Sequence, residues 1–134
     1  MTDPFDLART FGLQPTTITQ LPGEVDLNYR IDTADETYIL KVSRPQADPS
    51  AIAFETEVMR HLAAKELPFR TPRPIEEVQP LVKGRLARLQ TWVPGRPLSQ
   101  VKPITSELRR QWGTLTGHLS KALADFSHPD APTD

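Results

Sequence analysis

Hydrophobic and polar positions alternate over short stretches that prolines and glycines cut apart, and this rhythm predicts a row of strands near the start of the chain. Thr16-Thr17-Ile18-Thr19-Gln20-Leu21 is a β-branched run bounded by Pro15 and Pro22. After the Pro22-Gly23-Glu24 turn, Asn28-Tyr29-Arg30-Ile31-Asp32 alternates as a second strand. The polar segment Asp32-Thr33-Ala34-Asp35-Glu36 leads into a third, Thr37 to Ser43. Ahead of them, Asp3-Pro4 followed by Phe5, Leu7, Ala8 and Phe11 predicts a short helix that Gly12 ends. Connections this short imply an antiparallel meander.

The period then changes. Asp48-Pro49 combines a cap residue with proline at the first helical position, and a helix is expected to run to about Glu66, before Pro68. With Phe54 set to 0° and about 100° per residue, Ala51, Val58, Leu62, Met59 and Ile52 fall at roughly 60°, 40°, 80°, 140° and 160°. Glu55 lies near 100°, inside that apolar stripe, and Glu57 near 300°, opposite it. Glu55 is therefore expected to face the core. Ile75 to Val78 predicts a short strand after Pro72 and Pro74. The Lys83-Gly84 turn then leads to another strand, Arg85 to Val93, which ends at Pro94-Gly95. A last helix from Thr105 to Phe126 carries Leu108, Trp112, Leu115, Leu119, Leu123 and Phe126 at three- and four-residue steps. The whole reads as an α+β fold: a five-stranded antiparallel sheet with one helix inserted between strands three and four, plus flanking helices.

Composition narrows the partners. Sixteen basic and 17 acidic side chains give a formal net charge of -1, so no bulk field favours nucleic acid or anionic lipid. The chain has no cysteine, and its histidines, His61, His118 and His128, are scattered, which argues against a structural zinc site. No apolar run approaches the roughly 18 residues of a membrane span, and the first residues lack a signal pattern, so a cytoplasmic protein is expected.

The candidate chemistry is a lysine on a strand and a carboxylate on a helix. Lys41 shares one side of its strand with Thr37 and Ile39, while Tyr38, Leu40 and Val42 face the other way. A carboxylate within an apolar stripe needs a cation, and Lys41 is the nearest in sequence on a neighbouring element. Such a pair would fix the ammonium as a preorganised point charge for nucleotide phosphates. The ordinary reading is a solvated lysine at a strand end, or a purely structural ion pair.

The residues Tyr38-Ile39-Leu40-Lys41 resemble the lysine strand of the protein-kinase-like aminoglycoside phosphotransferase, choline kinase and homoserine kinase group. Phe54-Glu55-Thr56-Glu57-Val58-Met59-Arg60-His61-Leu62 is similar to the helix that follows it, with Glu55 at the family's spacing from Leu62. Leu21-Pro22-Gly23-Glu24-Val25-Asp26-Leu27-Asn28-Tyr29 resembles the nucleotide-covering turn of the hydroxylysine-kinase-like subgroup, some of whose relatives are fused to class III aminotransferases. Gln90-Thr91-Trp92-Val93-Pro94-Gly95 resembles the hinge between two lobes. The resemblance implies that Lys41 holds the α- and β-phosphates of ATP or GTP and that Glu55 orients it. It implies that Ile39 and the main chain of Gln90, Thr91, Trp92 and Val93 meet the purine, and that Mg2+ accompanies the nucleotide. Asn28 contacts a phosphate or caps the turn, and Ile39 is equally a core residue.

The same resemblance implies two units, residues 1–95 as the nucleotide-binding lobe and 96–134 as a linker and the first helix of a second lobe. The family's histidine-glycine-aspartate catalytic loop does not occur in the sequence. The expectation is thus of a lobe inactive alone, whose missing partner lobe supplies the Mg2+ ligands and the contacts to a small hydroxyl-bearing amine or amino-acid-like substrate. Asp130 or Asp134 as a substitute base is the remote option. The exposed last helix suggests self-association. A non-catalytic kinase-like interaction module, or an unrelated α+β fold, is the alternative.

Overall fold

The computed structural model describes residues 3–23, 25–75 and 78–129. Its sheet has the strand order β1-β2-β3-β5-β4, with β1 at Pro15–Leu21, β2 at Leu27–Thr33, β3 at Thr37–Val42, β4 at Gln79–Pro80 and β5 at Leu86–Thr91. All neighbours are antiparallel. The helix α1 spans Pro4–Thr10, α2 Pro49–Ala63 between β3 and β4, and α3 Ser106–Leu123. This is the α+β architecture that the pattern predicts. No helix among the described residues is long and apolar enough to cross a membrane.

One face of the sheet is apolar and α1 covers it. Tyr29, Ile31, Leu40, Val42, Ala87 and Leu89 pack against Leu7, Ala8 and Phe11, and Ile31, Leu40 and Ala87 are wholly buried. The helix is set at that angle by its ends. Asp3 accepts from the Phe5 amide at 2.8 Å, and at the other end the Gly12 amide bonds Arg9 O at 2.9 Å and the Leu13 amide Ala8 O at 3.0 Å. That pairing is a Schellman cap, and Gly12 supplies its left-handed residue at φ 83°.

The second face is polar and lies toward α2. Asp48 caps α2 by accepting from the Ser50 amide at 2.9 Å, and Pro49 occupies the first helical turn. Thr105 does the same for α3, accepting from the Leu108 amide at 3.0 Å. The strand expected at Ile75–Val78 is displaced. Ile75 bonds Leu89 O at 3.0 Å and Pro74 bridges Gln90, but the named ladder on β5 forms at Gln79–Pro80. Glu76 and Glu77, inside the expected strand, lie outside the described residues, as do Asp130 and Asp134.

Candidate nucleotide site

Strand register brings three polar side chains into one row on the polar face. Asn28 of β2 pairs with Lys41 of β3, and Lys41 pairs with Arg88 of β5. The next row on the same face is Arg30, Ile39 and Gln90. Because Lys41 stands between Leu40 and Val42, both locked in the core, its strand is rigidly placed. Two cations directly opposed on neighbouring strands repel, so Lys41 and Arg88 together make a local positive site that anions relieve.

Two carboxylates reach that site, both at Arg88. Its Nη2 lies 2.7 Å from Asp26 and 3.4 Å from Glu55. The arginine is buried, with 7% exposure, and its Nη1 has no hydrogen-bond partner. The expected pair of Lys41 with Glu55 does not form: among the described residues no ion pair includes Lys41, and Glu55 turns to Arg88 instead. Nor does Glu55 face the core, since its side chain is 58% exposed. The reason lies in how α2 packs. Its buried residues are Ile52 and Thr56, which centre near 180° on the wheel that put Glu55 at about 100°. Phe54 at 0° belongs to a separate contact, with Phe126 beyond the end of α3 at 5.9 Å between centroids. Averaging two apolar faces placed the stripe's centre on Glu55, which in fact sits at the border between them.

The turn between β1 and β2 is held over this row. Asn28 Nδ2 donates to Pro22 O at 3.4 Å, so the side chain caps the turn, and its Oδ1 is buried with no partner. Gly23 is required there by space. A Cβ on it would run into the Asn28 carboxamide and stand 2.5 Å from the Asp26 carbonyl.

Past β5 the chain leaves the sheet through Gln90 to Gly95, the segment expected to be a hinge. The Thr91 amide bonds Arg73 O at 2.9 Å and the Trp92 amide Thr37 O at 3.3 Å. Arg30 stacks over the Trp92 ring at 4.7 Å, making Trp92 a packing residue, while Val93 is exposed. A cavity of about 500 Å3 opens beside Thr91, Trp92 and Val93, with the end of α2 and Arg70 and Arg73 as its other wall.

The far end of α2 is tied to the segment after α3. His61 Nε2 faces Ala122 O and Asp125 Oδ1, each at 2.9 Å, and Lys65 Nζ donates to Asp125 Oδ2 at 2.7 Å. The Lys65 hydrogen bond, aided by His61 and opposed by slight desolvation, holds the Asp125 carboxyl below its ordinary value. This latch fixes the helix that carries Glu55. Leu115, Leu119, Leu123 and Phe126 are half-buried, and the most exposed apolar residue of α3 is Trp112.

Sequence reasoning missed Arg88 and Asp26. Arg88 alternates with the buried Ala87 and Leu89, and so was legible as a cation on the polar face of its strand; its place beside Lys41 depended on a long-range pairing. Asp26 stands two residues before Asn28 and carried no signal of its own.

Several known proteins resemble this chain in sequence or in fold. Hydroxylysine kinase of Mus musculus is 29% identical over 139 residues, covering 89% of this chain and 37% of its own length. Homoserine kinase of Acidiphilium cryptum (strain JF-5) is 34% identical over 76 residues, 54% of this chain and 24% of that protein. In fold, the crystal structure of aminoglycoside phosphotransferase APH(4)-Ia matches with a TM-score of 0.66 at 17% identity, over 92% of this chain and 39% of that one. A microcompartment-associated aminopropanol kinase matches with a TM-score of 0.67 at 17% identity, over 92% and 41%. A thermostable mutant of the APH(4)-Ia enzyme is known as a ternary complex with AMP-PNP and hygromycin B. The chain thus spans little more than a third of the hydroxylysine kinase it matches. The model of the phosphotransferase enzyme family matches residues 17–134, nearly everything after α1, and the chain belongs to that family, with a kinase-like small-lobe fold.

Proposed function

We propose that this chain is the nucleotide-binding lobe of a kinase that transfers the terminal phosphoryl group of ATP or GTP to a hydroxyl of a small amine or amino-acid-like molecule. The observation that carries the reading is the row Asn28–Lys41–Arg88, in which the carboxylates of Asp26 and Glu55 meet Arg88 and leave Lys41 as the available cation, on a rigid sheet beside a glycine-dependent turn and one strand end from the segment proposed as a hinge. A polyphosphate fits it chemically. Lys41 has no carboxylate partner among the described residues, and the buried Nη1 of Arg88 has no hydrogen-bond partner. Lys41 is assigned to the α- and β-phosphates and Asn28 to the turn above them. Ile39 and the main chain from Gln90 to Val93 are assigned to the purine, and Glu55 to the orientation of Lys41 once phosphates are bound.

In the transfer, the acceptor oxygen forms a bond to the γ-phosphorus as the bond to the β–γ bridging oxygen breaks, and the hydroxyl proton passes to a base. We assign that base, the acceptor contacts and the Mg2+ ligands to residues outside those described, with residues 1–95 forming the nucleotide lobe and 96–134 the start of the other. The relatives' names, hydroxylysine kinase and homoserine kinase, support an amino-acid-like acceptor. The test is phosphate transfer by the complete gene product from ATP or GTP to a panel of hydroxy amino acids and amino alcohols. Transfer that disappears in Lys41→Ala at unchanged folding supports the proposal. A folded gene product that neither binds nucleotide nor transfers phosphate overturns it.

A further inference from the structure

Arg88 is placed to do something that neither a core residue nor a plain phosphate ligand does. It is buried in the sheet, yet its Nη2 joins two elements that flank the proposed phosphate site: the β1–β2 turn through Asp26 at 2.7 Å and α2 through Glu55 at 3.4 Å. Its own strand is fixed by Ala87 and Leu89, both in the core on the opposite face. The Asp26 side chain is only 21% exposed, so the pair is shielded from solvent and the carboxylate has little freedom to leave it. Among the described residues of the turn, the other side-chain tie is that of Asn28. Asn28 bonds Pro22 O across its mouth at 3.4 Å, which closes the turn on itself without anchoring it to β5.

We propose that Arg88 is a positioning residue that sets the height of the nucleotide-covering turn above Lys41 by holding Asp26. This rests on the nucleotide-site reading above and adds a residue and a mechanism to it. Arg88 acts through Asp26, so loss of either partner frees the turn, and loss of both adds little to loss of one.

The experiment compares wild type, Asp26→Asn, Arg88→Met and the double variant in the complete gene product. Steady-state kinetics and amide hydrogen exchange over residues 22–27 are measured on each. Asp26→Asn is expected to raise the nucleotide KM about tenfold (about 1.4 kcal/mol), to leave the acceptor KM within about twofold, and to speed exchange in the turn. The double variant is expected to match Arg88→Met. If Arg88→Met does not fold, Asp26→Asn alone decides, because it keeps the shape of the side chain. Wild-type nucleotide KM together with unchanged turn exchange in Asp26→Asn overturns the inference while leaving the nucleotide site intact. A wild-type protein that ignores nucleotide overturns the underlying reading, and the exchange measurement then decides the anchoring on its own: unchanged protection in Asp26→Asn refutes it, and faster exchange upholds the tether.

Discussion

The same substitution, glycine to alanine, should act in opposite directions at two places in this chain. At Gly23 the added Cβ meets the Asn28 carboxamide and stands 2.5 Å from the Asp26 carbonyl, a backbone atom that cannot give way without moving the turn. Overpacking of this kind costs about 1–3 kcal/mol. Displacing Asn28 from Pro22 O forfeits a hydrogen bond worth about 1 kcal/mol. The turn can relieve part of this by opening locally, so the cost should appear in nucleotide affinity more than in global stability. A loss of about 2 kcal/mol corresponds to roughly 30-fold weaker binding. At Gly113, in α3, a Cβ meets nothing within 4 Å. There alanine should gain about 0.5–1 kcal/mol of helix stability. In a domain of this size that raises Tm by about 2–4 °C. Isothermal titration with ATP and a thermal melt on both variants provide the comparison. Wild-type affinity in Gly23→Ala, or a lowered Tm in Gly113→Ala, would refute the reasoning.

Leu40 is wholly buried on the central strand, and Leu40→Ala should cost about 2–5 kcal/mol in chemical denaturation; a loss under about 1 kcal/mol would mean that α1 does not cover that face as described. The latch between α2 and the end of α3 should respond to acid. Lys65 holds Asp125 below its ordinary value of 3.8, so the unfolded chain takes up that proton first as pH falls. The Asp125 contribution is therefore complete above that ordinary value and is lost as pH drops through the lowered one. The Tm gap between wild type and Asp125→Asn should close in acid, and a gap constant across the range would count against the latch.

The strands and helices were readable because their signals are local. Asp48-Pro49 and Asp3-Pro4 start helices for reasons contained in a few residues, and the alternation of Tyr38, Leu40 and Val42 with Thr37, Ile39 and Lys41 sorts one strand's faces. Strand four was misplaced because its ladder is only two residues long, on the sheet edge, with little pattern to read. The site was half legible. Lys41, Asn28, Ile39 and Gln90 do share one face, as period two requires. Glu55 does not sit where the wheel put it because α2 has two apolar faces, one buried at Ile52 and Thr56 and one meeting Phe126 after α3 through Phe54. A single helical stripe cannot separate those. Arg88 became visible as the nearer cation only once the pairing of β3 with β5 was known.

The central claim is that the row through Lys41 receives nucleotide phosphates. Calorimetric titration of the complete gene product with adenosine, ADP and ATP in the presence of Mg2+, for wild type and Lys41→Ala, tests it most directly. Affinity should rise with phosphate number in the wild type. Lys41→Ala should weaken ATP binding by about tenfold or more while adenosine binds equally to both, since a charge-assisted contact is worth about 1.5–3 kcal/mol. ATP binding that is the same with and without the lysine, or no stronger than that of adenosine, would contradict the account.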